Sequence, residues 1–271
     1  MSGVPAGDRE WQGGEVGARA VCVLAPNASP MTLDGTNTWI LREPGSRRSL
    51  VVDPGPLDAG HLDRVAELGG EVGVVLLTHG HVDHSEAARA LADRMGCGVR
   101  ALDPTFRYGG EGLHDGDVVE VDGLELLVVG TPGHTSDSLS FLLLAERAVL
   151  TGDTVLGRGT TVVAHPDGEL GAYLGSLRRL RDLAEFREIE AILPGHGPVL
   201  DQALPALDYY LRHRAERLDQ VRAAVGAGAK DAAAVVRTVY VDVDPQLWPA
   251  AELSVRAQLA YLAQAGAGPV A

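Results

Sequence analysis

Thr78-His79-Gly80-His81-Val82-Asp83-His84 sets three imidazoles and a carboxylate within six residues, directly after the apolar run Val72 to Leu77. Histidine and aspartate gain nothing from burial unless they are paired, so packing does not explain such a cluster. In an extended segment residues two apart share a face, which points His79, His81 and Asp83 together. His84, at the start of the Ala-rich helical stretch Ser85 to Met95, is swung away from them by the turn into that helix. One short loop can therefore serve two adjacent metal ions. Neutral imidazole and carboxylate ligands suit zinc, and the lack of cysteine among them argues against a closed structural site.

Working outward, three further segments repeat the pattern of an apolar run, a glycine and a candidate ligand. Leu124 to Val129 leads to Thr131-Pro132-Gly133-His134-Thr135. Ala148-Val149-Leu150 leads to Thr151-Gly152-Asp153-Thr154, and Ile189 to Leu193 leads to Pro194-Gly195-His196-Gly197. Each apolar run reads as a strand and each Gly-flanked residue as a loop at its end, so the ligands face a common edge. Alone, each of the three is as readily a turn residue. In this order behind the first cluster they form a set of seven: His79, His81, Asp83, His84, His134, Asp153 and His196.

That order and spacing resemble the metallo-beta-lactamase superfamily of hydrolases. The resemblance implies an α/β fold, a four-layer αββα sandwich with the metals at one edge between the sheets. It implies that His79, His81 and His134 hold one zinc ion, that Asp83, His84 and His196 hold the second, and that Asp153 bridges the two. Asp83 and Asp153 are then the catalytic carboxylates, flanking a hydroxide that bridges the metals. Asp53, in Val51-Val52-Asp53-Pro54-Gly55, corresponds to an acid that supports the ligand loops from behind. Zinc beta-lactamases of the commonest class carry cysteine where Asp153 stands, so antibiotic hydrolysis is not expected. Flavodiiron proteins carry glutamate where His81 stands.

A resemblance running through nearly the whole chain is to the beta-lactamase-like protein 2 family, which includes a single-stranded-RNA endoribonuclease. It is carried by Met31 to Thr38 (MTLDGTNT), Gly152 to Val162 (GDTVLGRGTTV), the helix from Tyr173 to Leu180, and Pro194 to Val199 (PGHGPV). Thioesterases that release polyketide chains from carrier proteins are similar over the same stretches. The substrate is thus open between single-stranded RNA and a small-molecule ester or thioester. A glyoxalase II is a further alternative, although its pattern departs at Ser136-Asp137-Ser138, and an iron-dependent persulfide dioxygenase is another.

The chain has 271 residues and a formal charge of −14. Nucleic-acid affinity rests on cations that neutralise phosphates, so this balance counts against RNA unless arginines cluster locally. Arg178, Arg179 and Arg181 on one helix, and Arg212, Arg214, Arg217 and Arg222 on another, are the candidates, with solvated pairing to Asp182, Glu216 and Asp219 as the plainer reading. Two isolated cysteines, Cys22 and Cys97, do not suggest a disulfide framework. Met1 to Gly17 lacks the basic start and apolar core of a signal peptide, and no stretch approaches the roughly 20 apolar residues of a membrane span. A cytoplasmic enzyme without membrane contact is expected, and a homo-oligomer stays open.

The pattern changes near Leu200 to Pro205, which gives a catalytic domain of residues 1–204 and a helical domain of residues 205–271. In the latter, Leu207, Tyr210, Leu211, Arg214, Leu218 and Val221 line one face of a long helix. Two shorter helices follow, Asp231 to Val239 and Trp248 to Ala263. They resemble the degenerate winged-helix appendage of the same family, here read as a lid packed through Trp248, Leu253, Leu259, Tyr261 and Leu262. Among the remaining polar residues, Thr160 and Thr161 are expected to open a strand, with substrate contact as the alternative, and Asn37 to cap a turn, with tying the first strand to the site floor as the alternative. His165 is the non-ligand histidine expected nearest the cleft, while His61, His114 and His213 are expected on the surface or in packing.

Overall fold

The structure, a computed structural model, describes residues 10–266. The expectations for residues 1–9 of the N-terminal stretch and for the chain end at 267–271 lie outside the described residues. Two sheets face each other. The first comprises β1 (Gly14–Val16), β2 (Ala20–Leu24), β3 (Asn37–Leu41), β4 (Arg48–Val52), β5 (Glu71–Leu76) and β6 (Gly98–Arg100), in that spatial order. The second runs β11 (Ala191–Pro194), β10 (Ala148–Gly152), β9 (Leu139–Leu143), β8 (Leu124–Gly130) and β7 (Val118–Val121). Trp39, Leu41, Leu50 and Leu76 of the first sheet pack against Leu126, Phe141, Leu150 and Leu193 of the second. Burying a side chain the size of Phe141 contributes roughly 1.5–3 kcal/mol, so this inter-sheet layer is the main cohesive element.

Helices cover the outer faces because both sheets contain parallel pairs, and a parallel connection must cross over. β4, β5 and β6 are parallel and β10 is parallel to β11. The crossovers are α1 (Ala59–Gly69), α3 (Ala88–Met95) and α4 (Leu170–Phe186). Val65 of α1 and Leu91 of α3 pack on Val51, Val75 and Val99. Leu177 and Leu180 of α4 pack on Val149 and Ile192. The result is the expected four-layer αββα arrangement. The edge strand β7 alternates exposed and buried residues, whereas β9 and β10 are buried throughout, which is why their sequences read as unbroken apolar runs. At the β7–β8 hairpin Asp122 and Gly123 both have positive φ, 49° and 89°, as a tight two-residue turn between right-twisted strands requires.

The helix expected over Ser85 to Met95 begins earlier and is broken: α2 (Val82–Ser85) is followed by α3 after two intervening residues. Thr160 and Thr161 do not open a strand; residues 160–164 form an irregular loop. The long helix α5 (Ala203–Gly226) buries Leu207, Tyr210, Arg214, Leu218 and Val221, the face read from its periodicity. Its first half shares the core of α4. Its second half packs with α6 (Ala232–Val239) and α7 (Trp248–Gly266), through Val221, Val235, Val236 and Val255. Tyr261 and Leu262 of α7 reach the α4 layer, but Leu253 is 37% exposed and does not pack as expected. Among the described residues both cysteines are free, and no helix is long and apolar enough to cross a membrane.

Candidate metal centre

All seven residues singled out in the sequence converge beyond the ends of β5, β8, β10 and β11, where four loops meet at the open edge between the sheets. His79, His81, His134 and Asp153 form one group with ligand atoms within 4.8 Å of one another, and Asp83, His84 and His196 form a second. Asp153 touches both, with carboxylate oxygens 3.6 Å from His134 Nε2, 3.4 Å from His196 Nε2 and 3.5 Å from His84 Nε2. The two-residue repeat does not hold for Asp83. Because α2 begins at Val82, Asp83 is carried round the first helical turn, away from His79 and His81 and toward His196, 3.2 Å away. The extended-strand reading thus put Asp83 on the wrong face, whereas its grouping with His84 and His196, implied by the resemblance, is the one observed.

The partners of the outer nitrogens fix how four of the imidazoles are protonated. Val162 O lies 2.8 Å from His134 Nδ1, Gly35 O 3.2 Å from His196 Nδ1, and Asp53 Oδ2 2.9 Å from His84 Nδ1. Carbonyl and carboxylate oxygens only accept, so each Nδ1 donates and, in the neutral ring, each Nε2 keeps a lone pair. Thr78 Oγ1 donates to Asp53 Oδ2 at 2.6 Å, so at 2.9 Å it accepts from His79 Nδ1, with the same result. These lone pairs face other lone pairs. His84 Nε2 is 3.3 Å from His196 Nε2, while His79 Nε2 and His134 Nε2 are 3.0 and 3.1 Å from His81 Nδ1, where one proton at most can serve both. Asp153 Oδ1 is buried without any hydrogen-bond partner. Four ligands about 2.0–2.1 Å from a tetrahedral ion lie about 3.3–3.4 Å apart, so the donor set fits divalent cations of zinc's size.

The charges agree with the geometry. Burial alone would raise Asp153, yet the neighbouring His196 and His84 hold it well below the usual carboxylate range. Burial works against a charge on His196, but Asp153 and Asp83 push its pKa up to about 10; a proton there stands for the positive charge the carboxylates demand. Burial pushes His79 and His134 down, which keeps them neutral as ligands must be.

The supporting residues differ from expectation in instructive ways. Asp53 accepts from Thr78 N at 2.8 Å as well as from Thr78 Oγ1 and His84, holding the first ligand loop from behind as the resemblance implied. Asn37 caps no turn. It lies in β3 and its Nδ2 donates to Pro194 O (2.9 Å) and Gly197 O (2.8 Å), clamping the loop that carries His196. Asn37→Ala would leave Gly197 O without a partner, while Pro194 O keeps Trp39 Nε1 at 3.1 Å, and is expected to cost about 1–3 kcal/mol, readable as a lowered urea midpoint. Gly195 must lack a side chain, since a Cβ there would lie 2.6 Å from Asp153 Oδ1 and 2.8 Å from His84 Cε1. In the sequence, the glycines flanking His196 signal close backbone approach, and Gly195 shows it.

The same edge opens into a cavity of about 410 Å³ bordered by His134 and Asp153. His213, expected on the surface or in packing, lines it, and so do Thr160 and Thr161; His165 is exposed and does not. His61 packs against Thr38 and His114 is exposed, as expected. Several of the arginines proposed for RNA are neutralised: Arg179 pairs with Asp115, Arg181 with Asp208 and Glu185, and Arg222 with Asp219.

Comparison with known proteins adds independent support. The family profile described as Metallo-beta-lactamase superfamily matches residues 31–196, and a Beta-lactamase associated winged helix domain matches residues 232–267. The Caenorhabditis elegans protein named Beta-lactamase-like protein 2 homolog is 34% identical over 72% of this chain and 67% of its own length. An Atrochrysone carboxyl ACP thioesterase of Aspergillus fumigatus is 35% identical over 75% of this chain and 64% of its own. A solved beta-lactamase domain protein of Burkholderia ambifaria shares the fold, with a TM-score of 0.80 at 24% identity, across 97% of this chain and 92% of that one.

Proposed function

Since the chain belongs to the metallo-beta-lactamase superfamily of hydrolases, we propose that its edge loops hold two zinc ions and that it hydrolyses an ester or thioester. His79, His81 and His134 would hold one ion, Asp83, His84 and His196 the other, with Asp153 shared. The observation that carries this reading is the set of inward-facing imidazole nitrogens, oriented by outer acceptors and gathered around the carboxylate of Asp153, whose Oδ1 is buried without a partner. When bound, such a pair of ions supplies a water whose pKa falls from 15.7 to about 7 and polarises the scissile oxygen. The protein's own part is to hold the ligands rigid and to receive a proton. Asp83 is the candidate for the second task on position: it is 30% exposed at the mouth of the site, beside His196, His84 and Thr36. No side chain is required as nucleophile.

The carrier-protein thioesterase among the relatives supports an acyl substrate for this chain, and the paired arginines argue against the single-stranded-RNA alternative. Residues 205–271 would act as a second unit that walls the cleft. Metal analysis after native purification is expected to give two zinc ions per chain. Chelation should abolish turnover of an acyl thioester and zinc should restore it. Tightly bound iron with oxygen consumption would replace this reading with an oxidoreductase, and cleavage of labelled single-stranded RNA with no thioester turnover would move it to the endoribonuclease branch.

A further inference from the structure

The cavity beside the ligand cluster is built from both parts of the chain. Met31, Leu33 and Leu156 line it from the sandwich, and Tyr240, Val243 and Leu247 line it from the C-terminal helices. Its walls are therefore mainly apolar, yet the charged side chains they carry are arginines: Arg158, Arg214 and Arg217, with Asp153 the one acid, at the ligand cluster. In a chain with a net charge of −14 this is a local reversal of sign. Arg158 is paired with Asp34 at 2.7 Å. Arg217 donates to Gln220 and Val239 O, at 3.0 and 2.6 Å, and has no carboxylate partner among the described residues.

Arg214 stands out. It is only 6% exposed, lies over the Tyr173 ring at 4.9 Å and donates to Thr161 O at 2.5 Å, but its Nε is buried with no partner. No carboxylate pairs with it among the described residues. A buried cation without a counter-charge costs several kcal/mol, so its persistence beside an open cavity needs a reason. Nearby, burial and then the charges of Arg214 and Arg217 push His213 down to about 4, so the cavity wall carries a positive field.

We propose that this cavity binds an amphiphilic anion, an apolar body bearing one negative group, and that Arg214 supplies the counter-charge. The inference rests on the hydrolase reading and deepens it: the scissile acyl bond would lie at His134 and Asp153, and the apolar body would extend under the C-terminal helices. Arg214 is thus a specificity-determining residue that selects an acyl substrate with an anionic group over a neutral one.

The test titrates the zinc-loaded full chain with 1-octanesulfonate and 1-octanol in a calorimeter. Octanesulfonate is expected to bind one site at least about tenfold more tightly than octanol, as a charge-assisted contact to a buried guanidinium implies. Arg214→Leu should bring the sulfonate down to the level of the alcohol. Ala250→Phe, at a half-buried wall position, should weaken both ligands and keeps the test decisive if Arg214→Leu fails to fold. Equal affinity for sulfonate and alcohol, or sulfonate binding unaltered by Ala250→Phe as for direct attachment to zinc, would overturn the proposal. So would a ten-nucleotide RNA that binds where octanesulfonate does not. Octanesulfonate binding without any acyl hydrolysis would keep the cavity assignment and remove the hydrolase reading. Acetyl thioester turnover without octanesulfonate binding would do the reverse.

Discussion

Asp153→Asn is expected to lower turnover at least about a thousandfold, some 4 kcal/mol of barrier, while the fold persists. Asp153 lies between the two groups, at 3.6 Å from His134 and 3.4 Å from His196. The amide keeps the shape and one acceptor oxygen but removes the negative charge and turns the second oxygen into a donor, which points at lone pairs. Metal content should therefore fall below two ions per chain, measured by plasma emission, alongside an unchanged circular dichroism spectrum. Near-wild-type turnover in this variant would sink the two-metal assignment.

Asp53→Ala is expected to act on both stability and metal. Asp53 forms a buried group with His79 and His84 behind the two groups joined by Asp153, and its carboxylate accepts from Thr78 N, Thr78 Oγ1 and His84 Nδ1. Removing it orphans three buried donors, which places the cost at about 3–5 kcal/mol for a broken buried polar network. It also frees the His84 ring, and loss of an outer partner of a ligating imidazole typically costs about 10–100-fold in metal affinity. A chelator competition at fixed zinc, with a denaturation curve in parallel, reads both effects. Asp53→Asn separates them, because the amide oxygen retains one acceptor for Thr78 N. If the alanine variant binds zinc as the wild type does, Asp53 is structural only.

The sequence carried the site well because its signals are local: four strand-ending loops, each with a ligand next to glycine. The layers were legible from apolar runs. What escaped depends on contacts between distant segments. Asn37 clamps a loop 157 and 160 residues away, and nothing near it in the sequence indicates those partners. His213 and Arg214 sit on a helix whose period reveals its buried face but not that the face borders a cavity. Thr161 was read as a strand residue from its β-branched neighbours, whereas Arg214 holds its carbonyl and its hydroxyl lies 3.2 Å from His134 Nδ1. Propensity gave way there to tertiary contacts. The one local misreading, Asp83, came from a helix that starts three residues before Ser85.

The second ligand group joins Asp83 and His84 to His196, and His84 and His196 are separated by 112 residues. A chain emerging from the ribosome presents the first loop, with its three imidazoles, long before the strand that ends at Pro194 exists. With domains folding as units during synthesis at about 5–20 residues per second, that interval is of order ten seconds. During it, the early loop is an open, partial chelator that any divalent ion can visit. Only when β11 pairs with β10 does the second ligand group become complete. The second ligand group is therefore the last part of the site to be assembled during synthesis.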